Sequence, residues 1–205
     1  QPNKRPTVTK EQQAYVDALA NSQRPPARQT KTPPDFPSTY AEQAKKCDEA
    51  QTLKEEGNEL YKQGDLLGAA KLYEQAVFKF AHWYADMFAT DEERALVHAV
   101  KLPCHLNLAA CSVRLNNHDH AVTHCTQVLK HDARNVKALY RRGASSMVLG
   151  NLDDALADLR AAAELAPKDR DVRRELSECL RRRAEYRGEA RSMSRRMVHG
   201  GASAD

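Results

Sequence analysis

The sequence predicts an all-α fold: an α-solenoid of three helix-turn-helix repeats closed by a long C-terminal capping helix. Two observations carry this. The 205 residues include only 8 Gly and 6% aromatics, which argues against a Gly-rich nucleotide fold or a many-turned β-sandwich. More decisive is a repeated pattern. Ala69, Tyr73 and Ala76 recur as Ala121, Cys125 and Val128, and again as Ala155, Leu159 and Ala162, at offsets of +4 and +7. Ala121 and Ala155 lie 34 residues apart, and Ala69 and Ala121 lie 52 apart, one period plus an 18-residue insertion. Twelve positions before each alanine stands a small residue: Gly57, Ala109 and Gly143. A fixed period of this length marks a repeat array, in which small residues sit where backbones cross and larger ones fill the grooves.

Residues 1–37 form a Pro-rich leader that is expected to be largely disordered, because the run 21–37 cannot sustain a helix. Within it, Lys10 to Ala20 could form one short helix with Tyr15, Val16 and Leu19 on one side. Ser38 or Thr39 could cap the next helix, along which Tyr40, Ala44, Cys47, Ala50, Leu53, Gly57 and Leu60 keep helical spacing. The repeats fall at 50–83, 102–135 and 136–169, with the insertion near 84–101. Residues 170–199 supply a cap with Val172, Leu176, Cys179, Tyr186, Ala190, Met193 and Met197 on one stripe, interrupted by Arg183. Its first half should pack on the third repeat and its second half should project. Residues 200–205 read as a disordered tail. The chain does not begin with Met and reads as a fragment or a processed form.

The net charge of +4 misleads as a clue to partners. Residues 1–35 carry 6 basic against 3 acidic residues, 36–169 carry 16 against 19, and 170–199 carry 10 against 5. The middle is slightly acidic, so nucleic acid is not an expected partner. No stretch approaches about 18 uninterrupted apolar residues, so no membrane span is expected. Cys47, Cys104, Cys111, Cys125 and Cys179 form no CxxC and are odd in number, which suits reduced, buried thiols in a cytoplasmic protein. His118, His120, His124 and Cys125 lie close in sequence. An HxxxH alone is a weak zinc signal, so no metal is expected and these histidines read as exposed. The basic last helix is compatible with calmodulin, though a solvated cap with Arg–Glu pairs is the simpler reading. No GxSxG, P-loop or HExxH occurs, so the chain is not expected to be an enzyme, and no cofactor is implied.

The candidate site is a set of donors on the first helix of each repeat. Lys54 and Asn58 are four apart, Asn107 precedes Ala109, and Lys137 and Arg141 are again four apart. Regular stacking would turn all five into one groove, which would suit an anion with several acceptor oxygens, such as a peptide's terminal carboxylate beside an acidic side chain. Arg142 is expected to face a neighbouring helix or solvent.

The period and its small-residue slots resemble the tetratricopeptide repeat (TPR). The phrases KEEGN, LNLA and KALYRRG look like the dicarboxylate clamp of TPR co-chaperones. That resemblance implies a partner: the acidic Glu-Glu-Val-Asp tail of the cytosolic ninety-kilodalton heat-shock chaperone, or of its seventy-kilodalton counterpart. The clamp residues it implies are Lys54, Asn58, Asn107, Lys137 and Arg141. The insertion and YRRG are similar to large immunophilins and to the aryl hydrocarbon receptor-interacting protein group, in which an isomerase-like domain precedes the repeats. Only 49 residues stand before the repeats here. Three expectations stay open: an adaptor, the TPR part of a prolyl isomerase, or a scaffold for another acidic peptide.

Overall fold

The computed structural model describes residues 40–81, 83 and 90–200; the leader, with its expected helix at Lys10 to Ala20, and residues 201–205 lie outside them. Among the described residues there are seven helices and no strand: α1 (Tyr40–Gln63), α2 (Leu66–Phe78), α3 (Asp91–Arg114), α4 (His118–Leu129), α5 (Val136–Val148), α6 (Leu152–Leu165) and α7 (Arg170–Gly200). The fold class is the predicted one. The chain divides into two compact units between Gln127 and Val128. In the first, α1 packs on α2 and both pack on α3; in the second, α5 packs on α6 and α6 on α7.

The first helix of each pair ends in the same way. Gly64, Asn116 and Gly150 adopt left-handed backbone at φ 88°, 59° and 86°. The next residue's N–H then reaches back five positions: Asp65 to Leu60 O (3.0 Å), Asn117 to Ser112 O (2.8 Å) and Asn151 to Ser146 O (2.9 Å). This closure satisfies carbonyls that the helix end would orphan, and it reverses the chain within two or three residues. The second helix starts on a cap in the first pair, where Asp65 accepts from Gly68 N–H at 2.9 Å.

Packing explains the repeated pattern. All nine residues of the Ala–large–small series are 1% exposed or less. A Cβ on Gly57 would stand 2.8 Å from Cε1 of Tyr73, and one on Gly143 would stand 2.8 Å from Cγ of Leu159. Only glycine lets these helices approach so closely.

Two helices run further than the repeat spacing suggests. α1 begins at Tyr40, and residues 91–101, assigned by sequence to an insertion, form the first turns of α3. The cause is an aromatic pair just after α2. Phe80 and Trp83 meet edge to face with centroids 5.2 Å apart, and the additional turns supply Cys47, Val97 and Val100 to cover them. Thr90 and Glu93 start α3 with reciprocal side-chain-to-backbone bonds of 3.2 and 3.3 Å. By length and composition α3 is apolar enough to cross a membrane, although polar residues interrupt its apolar run. Its apolar residues Val97, Val100, Cys104, Leu108 and Cys111 are buried within the protein.

α7 behaves as a cap over its first half. Val172 and Cys179 are buried, and Leu176 packs against the same core as Cys179. Arg183, which interrupts the stripe, reaches α6 and bonds Asp153 at 2.6 Å. Beyond it Tyr186 and Met193 are exposed. Arg181 and Arg182 bond Glu178 on their own helix, each at 2.7 Å.

The histidines depart from expectation: His105, His120 and His124 are buried. The Nδ1 atoms of His105 and His124 lie 3.3 Å apart, so one ring donates there and the other accepts, which requires an unprotonated acceptor. The polar HxxxH pattern looked exposed because the partner of His124 sits 19 residues earlier, on another helix. Among the described residues no group of three or more His, Cys, Asp or Glu side chains is placed to hold a metal. All five cysteines are free and buried.

Two predictions follow from this packing. Gly143→Ala should lower stability by about 1–3 kcal/mol through overpacking. Gly188→Ala on α7, where a Cβ meets nothing within 4 Å, should cost nothing or stabilise slightly. Urea denaturation checks both, and equal effects would show that the crossing is not tight. For His124, burial and then His120 push the pKa down from 6.5 to about 4. A depressed histidine pKa means the unfolded chain binds more protons, so stability should fall as pH drops through that window, by about 3 kcal/mol from this residue. His124→Gln should flatten the dependence of Tm on pH between about 7 and 4.5; an unchanged slope would exclude His124 as its source.

Candidate functional site

The first unit positions three of the five candidate residues. Lys54 and Asn58 lie one turn apart on α1, and Asn107 lies on α3. The Nδ2 of Asn107 donates to Oδ1 of Asn58 at 3.0 Å, and the hydroxyl of Tyr73 on α2 donates to the same oxygen at 2.8 Å. Three helices therefore meet at one amide oxygen. Desolvation pushes the Tyr73 phenol well above its ordinary pKa, which keeps it a protonated donor. With Oδ1 taken twice, the Nδ2 of Asn58 is the end turned away from this network, and it makes no hydrogen bond among the described residues.

Burial pushes the thiol of Cys104 on α3 up to about 12, and the charge of Lys54 opposes that shift. Lys54 and Asn58 are both half-buried, a placement that leaves their polar ends reachable while removing part of their hydration.

The second unit carries Lys137 and Arg141, one turn apart on α5; Lys137 is exposed and Arg141 half-buried. The cap of α5 is Asn135, whose side chain accepts from Ala138 N–H at 3.1 Å. Arg142 turns the other way. Its guanidinium forks onto Asp158 of α6 at 2.7 and 2.8 Å, and Asp158 is 8% exposed. Arg142 thus faces a neighbouring helix, as expected, and that bidentate pair fixes the rotation of α5 on α6.

Two contributors escaped the sequence reading. Tyr73 was taken only as a groove filler, yet a buried tyrosine must place its hydroxyl, and Asn58 is where it goes. Asp158 was not singled out, although a carboxylate at a core-facing helix position requires a cationic partner. None of this arrangement holds a nucleophile beside a base, or a pair of carboxylates. The chemistry it offers is donation to an anion.

Comparison with known proteins bears on the repeat fold. The tetratricopeptide-repeat pattern matches residues 136–169. The peptidyl-prolyl cis-trans isomerase FKBP42 of Arabidopsis thaliana is 41% identical over 128 residues, covering 62% of this chain. The chain spans only 34% of that relative's length. Among solved structures, the C-terminal TPR-containing domain of an FK506-binding protein from Plasmodium falciparum superposes with a TM-score of 0.67 at 30% identity, covering 75% of this chain and 99% of that one. The myosin chaperone UNC-45 from C. elegans, solved in complex with an Hsp90 peptide, aligns with a TM-score of 0.58 at 25% identity over 76% of this chain and 17% of its own. With 30% identity over 99% of that Plasmodium repeat domain, the chain belongs to the tetratricopeptide-repeat family and is related to the repeat domains of FK506-binding immunophilins.

Proposed function

We propose that the chain is a cytoplasmic co-chaperone adaptor. It binds the acidic C-terminal Glu-Glu-Val-Asp tail of the ninety-kilodalton heat-shock chaperone, or of its seventy-kilodalton counterpart, through Lys54, Asn58, Asn107, Lys137 and Arg141. The observation that supports this best is the double acceptance at Asn58 Oδ1 from Tyr73 and Asn107. It fixes an amide whose donor end is presented beside Lys54, an arrangement suited to a terminal carboxylate. The relationship to UNC-45, which holds an Hsp90 peptide, points the same way. Charge-assisted bonds contribute about 1.5–3 kcal/mol each, and after the ordering cost of the peptide an affinity of about 1 μM is expected.

A second reading is favoured by the 41% identity with FKBP42: the repeats serve a peptidyl-prolyl isomerase, delivering its catalytic domain to the chaperone. Calmodulin is not part of either reading, since Arg181 and Arg182 are engaged by Glu178 on their own helix.

Calorimetry with an acetylated peptide ending in Glu-Glu-Val-Asp tests the adaptor reading. Binding should fall by about tenfold or more when the terminal carboxylate is amidated. Lys137→Ala and Arg141→Ala should each weaken binding with little change in Tm, because neither residue supports the core. Equal affinity for both peptides, or for wild type and both variants, would sink the clamp.

A further inference from the structure

The first unit contains a cavity of about 1080 Å³ that Lys54, Asn58 and Asn107 do not line. It exceeds the usual range of about 300–1,000 Å³ for small-molecule pockets, and it is too large for a single ion. Leu53, Val77 and Leu108 give it apolar walls, and Phe78, at the end of α2, lines it with 73% of its surface exposed. That leaves an aromatic face at the cavity edge, available to an apolar side chain of a partner.

The charges around this cavity are unbalanced. Lys46, Lys71, Lys79 and Lys101 line it against Glu49 and Glu74. Glu49 is already held by Lys79 at 2.8 Å. Lys101 is in a different position. It is half-buried in the cavity wall, and its one hydrogen bond among the described residues goes to the Phe80 carbonyl at 3.4 Å. A charge-assisted bond is ordinarily about 2.7–2.9 Å, so this ammonium is only loosely satisfied, and no carboxylate in the described structure pairs with it. Its partial loss of water pushes its pKa down, and an anion brought to it would reverse that penalty. A further polar point lines the same space: His124 is 7% exposed and its Nε2 has no hydrogen-bond partner.

We propose that this cavity is a second docking site, separate from the terminal-carboxylate clamp, for an acidic segment of a partner protein. An internal Asp or Glu side chain of that segment meets Lys101, and a neighbouring apolar side chain covers Phe78. Charge complementarity selects this occupant. With the Lys79–Glu49 pair set aside, the wall offers three ammonium groups and one carboxylate above an apolar lining. A basic segment would meet a wall of like charge, and a wholly apolar one would leave Lys101 desolvated without a carboxylate.

The test uses the whole chain and a fluorescein-labelled peptide Glu-Leu-Asp-Phe-Glu-Glu with an amidated C-terminus, which lacks the carboxylate that the clamp requires. Fluorescence anisotropy should report binding in the range of about 10–100 μM. Lys101→Gln should weaken it by about tenfold, with Lys101→Arg restoring most of it. Phe78→Ser changes an exposed residue and so leaves folding intact, and it should weaken binding by at least about threefold. Lys54→Ala should leave this peptide's affinity unchanged while weakening the free-carboxylate peptide, which separates failure of this site from failure of the clamp. No anisotropy change up to about 1 mM would overturn the proposal. So would wild-type affinity in both Lys101→Gln and Phe78→Ser, loss of binding in Lys54→Ala, or equal affinity for a peptide with Lys replacing each acid. Self-association by sedimentation that Phe78→Ser abolishes would assign the surface to a second copy of the chain and overturn it as well.

Discussion

The close crossing of two helices at a glycine is the constraint on which the rest of the structure depends. At Gly57 and Gly143 a single added carbon would meet a side chain of the next helix at 2.8 Å, so the spacing of each pair is set by the absence of a side chain. The same crossing builds the polar arrangement. Because Tyr73 lies against Gly57, its hydroxyl falls at the adjacent residue, Asn58, and bonds it at 2.8 Å. In the second unit Leu159 takes the place of the tyrosine and has no hydroxyl. There the residue beside the glycine, Arg142, bonds Asp158, the residue beside the leucine. Both units therefore couple a steric crossing to one hydrogen-bonded pair next to it. In the first the pair orients a candidate ligand-binding amide; in the second it holds α5 in the rotation that gives Lys137 and Arg141 their own face.

That coupling explains which parts were legible in the sequence. The slots at Ala69, Tyr73 and Ala76 and their counterparts are read directly, because buried small residues leave a fixed imprint at helical spacing. The turns carry the same period: Gly64, Asn116 and Gly150 stand 52 and 34 residues apart, the same steps as the alanines. Asn116 hides the pattern, since asparagine tolerates the left-handed backbone less visibly than glycine. The helical part of the insertion was not legible. Nothing local in residues 91–101 says that Phe80 and Trp83 need covering, because that demand comes from side chains 8 or more positions earlier in the chain. The burial of His124 was hidden for the same reason, its partner His105 being on another helix. The five candidate donors were legible as residues; the hydroxyl that orients one of them was not.

Charge behaves in the same local way. The most basic segment, α7, neutralises part of its own charge: Arg181 and Arg182 share Glu178 within one turn, and hydrogen bonds from both arginines hold that carboxyl down at about 2. Such exposed pairs contribute little to stability, but they lower the free charge the helix presents. Lys101 shows the converse. It sits in a chain segment of slightly acidic balance, yet its surroundings offer it one carbonyl at 3.4 Å. A single poorly satisfied cation in a cavity wall is a stronger guide to an acidic partner than a run of arginines, because desolvation makes its interaction energy larger.

α3 is the element that joins these features. Asn107 lies on the side that meets Asn58, whereas Lys101, His105 and Leu108, at helical spacing, line the cavity. One helix can present two faces because its period sends residues three and four apart to the same side and those between them elsewhere. The arrangement has an energetic cost: α3 contains Pro103 within its span, buries His105 against His124 of α4, and holds an ammonium away from full hydration. The last of these is a penalty in the free chain that an anion bound at Lys101 would relieve. A ligand that binds only the folded state stabilises it by an amount set by its concentration relative to its dissociation constant. Occupancy of the clamp and occupancy of the cavity would then both be felt by α3, which makes this helix the part of the fold whose stability reports on binding.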